Sequence, residues 1–183
     1  MHASLYNIVW SNPIFSPAEC DSIISKYPIP ETNRAVLIQE TVPNTAVRNS
    51  AVRFVPISAD DQWIFDRLQA VAARVNQDLQ FELSGFREGF QIARYSPGEF
   101  YHWHADLGAD DASLRKLTLV VQLTDPADYE GGAVEFFPTP INVPRERGAV
   151  IVFPSYVLHR VVPVTRGVRH SLAAWIAGDR PFR

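Results

Sequence analysis

The chain carries five histidines, at positions 2, 102, 104, 159 and 170. Two of them combine with one carboxylate into a metal-binding pattern. His104-Ala105-Asp106 sets an imidazole and a carboxylate two residues apart. On a strand, residues i and i+2 project from the same face, so both side chains can reach one point. His159 lies 55 residues further on, within Pro154-Ser-Tyr-Val-Leu-His159-Arg-Val-Val-Pro163, just after the apolar run that follows Gly148. Each piece alone is commonplace. His-x-Asp occurs in turns, and a lone histidine in a strand is usually a hydrogen-bonded core residue. Together, two imidazoles and a carboxylate hold a metal from one side and leave the other side open, the facial arrangement of non-haem Fe(II) sites. A zinc hydrolase can be built on the same three ligands. The single cysteine, Cys20, excludes a thiolate-rich zinc site and an internal disulfide framework.

Arg169 adds the discriminating piece. It follows His159 by 10 residues, in Gly167-Val-Arg169-His-Ser171, among the apolar residues Val168, Leu172 and Ala174. Period-2 alternation puts Arg169 and Ser171 on one face of that strand. An arginine directed into a barrel needs an anionic partner, because an unpaired buried charge is costly. Its planar fork suits a carboxylate. That partner is a carboxylate ligand; otherwise the arginine pairs with an internal Asp or Glu, or lies at a rim. A metal hydrolase has no use for an arginine at this place.

The surrounding elements must position these residues. Ser16-Pro17-Ala18-Glu19 reads as a capping box with proline at the first helical position. It predicts a helix over 17–27, with Ile23 and Ile24 inward and Cys20 a small buried residue, ended by Pro28 and Pro30. A second helix opens near Ser58, with Asp60 and Asp61 in its first turn and Ile64, Leu68, Val71 and Val75 as its apolar stripe. From about residue 79 the texture changes to short apolar runs separated by Ser96-Pro97-Gly98, Gly131-Gly132, Gly148 and Gly167. Such spacing predicts an all-β sandwich or barrel, against which the two helices pack.

The ordered motifs resemble the Fe(II)/2-oxoglutarate-dependent dioxygenase superfamily, in its prolyl 4-hydroxylase-like branch. They are Gln91-Ile-Ala-Arg-Tyr95-Ser-Pro-Gly98, Tyr101-His-Trp-His104-Ala-Asp106, Leu123-Thr-Asp-Pro126, Tyr129-Glu-Gly-Gly132, His159, Pro163-Val-Thr-Arg-Gly167, Arg169 and Trp175. The resemblance covers about residues 48–176 and is strongest over 90–176. It implies a mainly β fold with flanking helices: a double-stranded β-helix, or jelly roll, with the N-terminal helices packed on it. We expect one domain over 1–183, helical over about 1–78 and jelly roll over about 79–178. The resemblance implies Fe(II) held by the catalytic residues His104, Asp106 and His159, with 2-oxoglutarate as cosubstrate and O2 as oxidant. Arg169 matches the residue that binds the distal carboxylate of 2-oxoglutarate. Tyr95 and Gln122 match positions lining that pocket, and Ser171 shares the Arg169 face. Some relatives have tyrosine at the Gln122 position or lysine at the Arg169 position. Related halogenases have a small residue where Asp106 stands, so the chain reads as a hydroxylase. The implied reaction hydroxylates a C–H bond and releases succinate and CO2. The substrate class is an amino acid, a peptidyl residue, prolyl included, or a small molecule.

The remaining polar residues carry milder expectations. His102 is expected to face away from His104, and His170 away from the metal. Tyr101 and Trp103 cover the barrel or line its entrance. Trp175 packs the barrel beside Arg169 or offers a substrate platform. Arg94 is expected to be solvated, residues 107–116 a polar mobile rim with Asp110 and Asp111, and His2 disordered. A net charge of −3, from 17 basic and 20 acidic side chains, argues against nucleic acid as the main partner. No run approaches the roughly 18 apolar residues of a membrane span. The N-terminus lacks the pattern of a signal peptide. The expected location is therefore the cytoplasm, with no membrane partner. Two competing functions share the expected fold: a metal-dependent cupin-like hydrolase or isomerase, and a non-catalytic jelly-roll binding module. Oligomeric state is open at this level.

Overall fold

The computed structural model describes residues 2–3, 8–36, 42, 44–138, 141 and 143–182. The capping box at Ser16 forms as its sequence predicts. The Ser16 hydroxyl accepts from the Glu19 backbone N–H at 3.3 Å, and the Glu19 carboxylate accepts from the Ser16 backbone N–H at 2.8 Å. Helix α1 runs over Pro17–Lys26 and turns Cys20 and Ile23 into the core, with Ile24 only partly buried. Past Ser58 a 3-10 turn, Ala59–Asp61, leads into α2 over Gln62–Leu79. Ile64, Leu68, Val71 and Val75 are all buried, one stripe on one face. Asp61 does more than sit in a first turn. It is buried and accepts from Ser58, Tyr27 and Lys26, tying the start of α2 to the end of α1.

The strands, in chain order, are β1 (His2–Ala3), β2 (Val9–Trp10), β3 (Arg48–Asn49), β4 (Ala51–Val55), β5 (Gly85–Phe86), β6 (Phe90–Tyr95), β7 (Phe100–His104), β8 (Arg115–Gln122), β9 (Tyr129–Gly131), β10 (Val134–Phe136), β11 (Val150–Pro154), β12 (His159–Val161), β13 (Val164–Gly167) and β14 (Arg169–Ala177). The large sheet has the order β1-β2-β11-β8-β14-β6-β4, with β5 also on β14; the small sheet is β10-β12-β7-β3, and β13 pairs with β9. All pairings are antiparallel. Between β7 and β14 the chain passes repeatedly between the large sheet and the strands opposite it, which is the winding of a double-stranded β-helix. The N-terminal part is not helical alone, because β4 forms one edge of the large sheet and β3 one edge of the small sheet. The backbone of His2 pairs with that of Trp10.

The large sheet is buried on both faces, and alternation sorts its side chains. Leu117, Leu119 and Val121 of β8, with Leu172, Ala174 and Ile176 of β14, pack into the cluster formed with α1 and α2. Their alternates enter the barrel: Thr118, Val120 and Gln122 from β8, and Arg169, Ser171, Ala173 and Trp175 from β14. That interior holds a second apolar cluster including Tyr95, Val134, Phe136, Ile151 and Phe153. A strand apolar on one face and mixed on the other thus carries packing and chemistry at once. Cross-strand register places Ser171 opposite Gln122 and Arg169 opposite Tyr95.

Candidate active site

His104 ends β7 and His159 begins β12, and the ladder sets them directly opposite each other. Their ring centroids are 4.1 Å apart. Asp106 follows β7, where its backbone N–H donates to Ser155 O at 3.0 Å. Asp106 Oδ1 lies 3.6 Å from His104 Nε2, and Oδ2 lies 3.8 Å from His159 Nε2. One ligand atom from each of the three residues fits within 4.8 Å of the others. Spacing alone brought these three together on paper, and the fold brings them together in space.

The hydrogen bonds prepare the donor atoms. His104 Nδ1 lies 2.8 Å from His102 O, and His159 Nδ1 lies 2.9 Å from Val157 O. A carbonyl partner places the proton on Nδ1 and leaves the Nε2 lone pair directed at the centre. Burial, then the neighbouring His159, pushes His104 down to about 3, so its ring is neutral at ordinary pH. Burial pushes the Asp106 carboxyl up, but His159 and His104 outweigh it and hold it below the usual carboxylate value. Thr118 Oγ1 donates to Asp106 Oδ2 at 2.9 Å and lies 3.1 Å from Ser155 Oγ. Two imidazoles with their Nε2 atoms turned to the centre and a carboxylate beside them are a donor set that fits a divalent metal.

Arg169 is 1% exposed. Its Nη2 donates to Gln122 Oε1 at 2.9 Å and its Nη1 to Ser171 Oγ at 3.4 Å, while Nε is buried without a partner. The guanidinium lies 5.5 Å from the Tyr95 ring centroid. Among the described residues no carboxylate pairs with it, which favours a carboxylate ligand as its partner. Gly132 makes room for this side chain. Its φ is +61°, and a Cβ there would sit 2.9 Å from Arg169 Cδ. Tyr95, Ser171 and Arg169 line one cavity with the His-Asp-His cluster, and Gln122 reaches it only through its hydrogen bond to Arg169.

Several neighbours carry no local signal in the sequence. Arg115 donates from Nε and Nη2 to both Glu88 oxygens at 2.7 Å, and from Nη1 to Asp106 O at 3.2 Å. It also covers the Trp175 ring at 4.0 Å. Residues 107–116 therefore do not form a polar rim throughout: Asp110–Leu114 is a 3-10 turn, and Arg115 and Lys116 are buried at the start of β8. Arg94 is ion-paired with Glu31 at 2.9 Å rather than solvated. His102 is exposed, as expected. Trp103 packs edge-on to Phe137 under Arg160, away from the cluster. His170 lies beside Thr124, and burial together with Arg94 and Arg169 pushes it down to about 4.

A jelly roll with a two-histidine, one-carboxylate cluster inside it defines a metal-dependent β-barrel protein. The comparisons sharpen that class. The family model of the 2OG-Fe(II) oxygenase superfamily matches residues 90–177. A PKHD-type hydroxylase of Klebsiella pneumoniae is 37% identical over 171 residues, covering 74% of this chain and 76% of that protein. A PKHD-type hydroxylase of Sphingopyxis alaskensis is 40% identical over 84 residues, 43% of this chain and 38% of that protein. A solved prolyl-4-hydroxylase of Pseudomonas putida superposes with a TM-score of 0.70 at 25% identity, over 94% of each chain. The chain belongs to the 2OG-Fe(II) oxygenase superfamily, whose cofactors are Fe(II) and 2-oxoglutarate. It spans about two-fifths of the length of the first curated relatives it matches. Among the described residues no helix is long and apolar enough to cross a membrane.

Proposed function

We propose that this chain is an Fe(II)/2-oxoglutarate-dependent hydroxylase whose catalytic machinery lies within one domain. The observation that carries the reading is the pairing, in one cavity, of a metal-competent cluster and a buried guanidinium that meets no counter-charge among the described residues. His104, Asp106 and His159 would hold the metal through two Nε2 atoms and a carboxylate oxygen. Arg169 would hold the distal carboxylate of 2-oxoglutarate, with Gln122 and Ser171 fixing the fork and Tyr95 forming the adjoining wall. When bound, Fe(II) and 2-oxoglutarate supply an O2-dependent oxidation that yields succinate and CO2 and places a hydroxyl on a substrate C–H bond.

The chain's own residues then have three tasks. The three ligands leave one side of the centre free. Arg169 fixes the orientation of the cosubstrate, since its donors lie in one plane and match a carboxylate. The apolar wall of Val134, Val161 and Trp175 excludes water around the cluster. A hydrolase or isomerase on the same ligands has no role for Arg169, and a binding module has none for a pre-oriented ligand set. The substrate is an amino acid, a peptidyl residue or a small molecule; the likeness to a solved prolyl-4-hydroxylase supports a prolyl group within that class.

The test is succinate release from 2-oxoglutarate by anaerobically purified, Fe(II)-reconstituted protein under O2, across amino acids, peptides and small molecules. Turnover, coupled or uncoupled, is expected. Its absence across the panel, with folded protein and bound iron, overturns the reading. Asp106→Ala should abolish iron-supported turnover.

A further inference from the structure

The cavity contains a second buried guanidinium that this reading leaves unused. Arg48, on β3, is 7% exposed and lines the same cavity as Arg169 and the His-Asp-His cluster. Its Nε donates to Ser50 Oγ at 3.1 Å, and its Nη2 to Gln91 Oε1 at 2.6 Å. The guanidinium lies over the Tyr101 ring at 4.4 Å, and Tyr101 stacks on His104 at 3.4 Å. Every one of these partners is neutral. Among the described residues no carboxylate pairs with Arg48, and its Nη1 makes no hydrogen bond.

The other arginines around the barrel show that this is not the local habit. Arg115 pairs with Glu88, Arg94 with Glu31 and Arg160 with Glu135. A largely buried guanidinium without a counter-charge is costly, and a ligand that brings the charge removes the cost. 2-Oxoglutarate cannot serve both arginines. In this reading one of its carboxylates would be held at the His104–Asp106–His159 centre and the other by Arg169. Arg48 is therefore left for a different anion, one that sits a single aromatic ring away from His104.

We propose that Arg48 binds a carboxylate of the primary substrate, and that this substrate is a small free carboxylic acid, an amino acid in the simplest case. An internal peptide segment brings no main-chain carboxylate to this position. Held there, the substrate presents to the metal only C–H bonds close to its carboxylate. The inference rests on the oxygenase reading and narrows its substrate class.

The experiment uses the full chain loaded with Mn(II) and saturated with 2-oxoglutarate, so that Arg169 is occupied. The common free L-amino acids, their amides, and an N-acetylated, C-amidated prolyl peptide are titrated calorimetrically, and each binder is then assayed for coupled succinate formation with Fe(II). At least one free acid should bind, and its amide should bind at least tenfold more weakly. Arg48→Gln should weaken the acid about thirtyfold, the scale of a charge-assisted hydrogen bond, Arg48→Lys should recover part of that, and 2-oxoglutarate affinity should stay within about twofold. An amide that binds as tightly as its acid, binding by the capped peptide in place of every acid, an unchanged acid affinity in Arg48→Gln, or no acid binding to protein that does bind 2-oxoglutarate overturns the inference. Protein that takes up no 2-oxoglutarate at all overturns the underlying reading instead, so the two failures are distinct.

Discussion

Tyr101 lies flat on His104, with ring centroids 3.4 Å apart and planes 13° from parallel. Residues three apart on a regular strand point to opposite faces. Here β7 carries an irregularity: His104 opposes His159, while Tyr101 opposes Val161, so three steps on β7 match two on β12. The extra residue is a β-bulge, and it turns Tyr101 onto the same side as His104.

This stacking restrains the His104 ring against rotation. Burial raises the Tyr101 hydroxyl to about 12, so the ring stacks as neutral phenol at ordinary pH. Tyr101→Ala is expected to weaken Mn(II) binding about tenfold, in the range of losses for residues that orient a metal ligand. Tyr101→Phe keeps the ring and should stay within about threefold of wild type. Mn(II) titration followed by electron paramagnetic resonance checks both.

Thr118 Oγ1 is the donor that fixes Asp106 Oδ2, and it also lies in contact with Ser155 Oγ. Thr118→Val keeps the shape and removes the bond, leaving a buried carboxylate oxygen short of a donor. We expect metal affinity to fall about tenfold to a hundredfold. Thr118→Ser should retain most of it. Metal content after dialysis against graded chelator separates the two variants.

Gln122 is the neutral acceptor for Arg169 Nη2. Gln122→Glu would put a carboxylate where the ligand's charge is needed, satisfying Arg169 internally. 2-Oxoglutarate binding should weaken by at least about tenfold, while Mn(II) binding stays near the wild-type value. Calorimetric titration of the Mn(II) form reads both quantities, and unchanged 2-oxoglutarate affinity would remove Arg169 from the cosubstrate site.

Glu19 supplies a pH prediction away from the cavity. It receives the fork of Arg67 at 2.7 and 2.8 Å and the backbone N–H of Ser16, and these hold its carboxyl at about 2. The folded value lies below the unfolded one, so the ionised form stabilises the fold above about 4.5, and that contribution disappears as pH falls from about 4.5 to 2. Glu19→Gln should lower the melting temperature by a few degrees at pH 7, and the gap to wild type should close through that acid window. A gap independent of pH would show that Arg67 and Glu19 do not interact as a charge pair.

Much of the fold was written locally. The Ser16 capping box, the Ile64–Val75 stripe and the alternation of β14 follow from chain geometry within a few residues, and each forms as read. The cluster of His104, Asp106 and His159 was legible for a related reason: histidine is rare in this chain, and the two-residue spacing of His104 and Asp106 sets an imidazole and a carboxylate on one face. The sequence alone therefore determined a β barrel flanked by two helices, and the residues competent to hold a metal inside it.

Tertiary structure decided what those residues face. Nothing in Val47-Arg48-Asn49-Ser50 marks Arg48 as interior, because its strand has two residues and its burial comes from β7 and Gln91. Arg115 looked like part of a polar loop until the ladder with β14 began at it. The β7 bulge depends on register with β12, which no local pattern specifies. Whether a charge has a partner is likewise settled by distant residues: Arg115 and Arg94 find carboxylates, whereas among the described residues Arg48 and Arg169 do not. Local periodicity sets the direction of a side chain, but only long-range packing sets the dielectric and the counter-charge it meets.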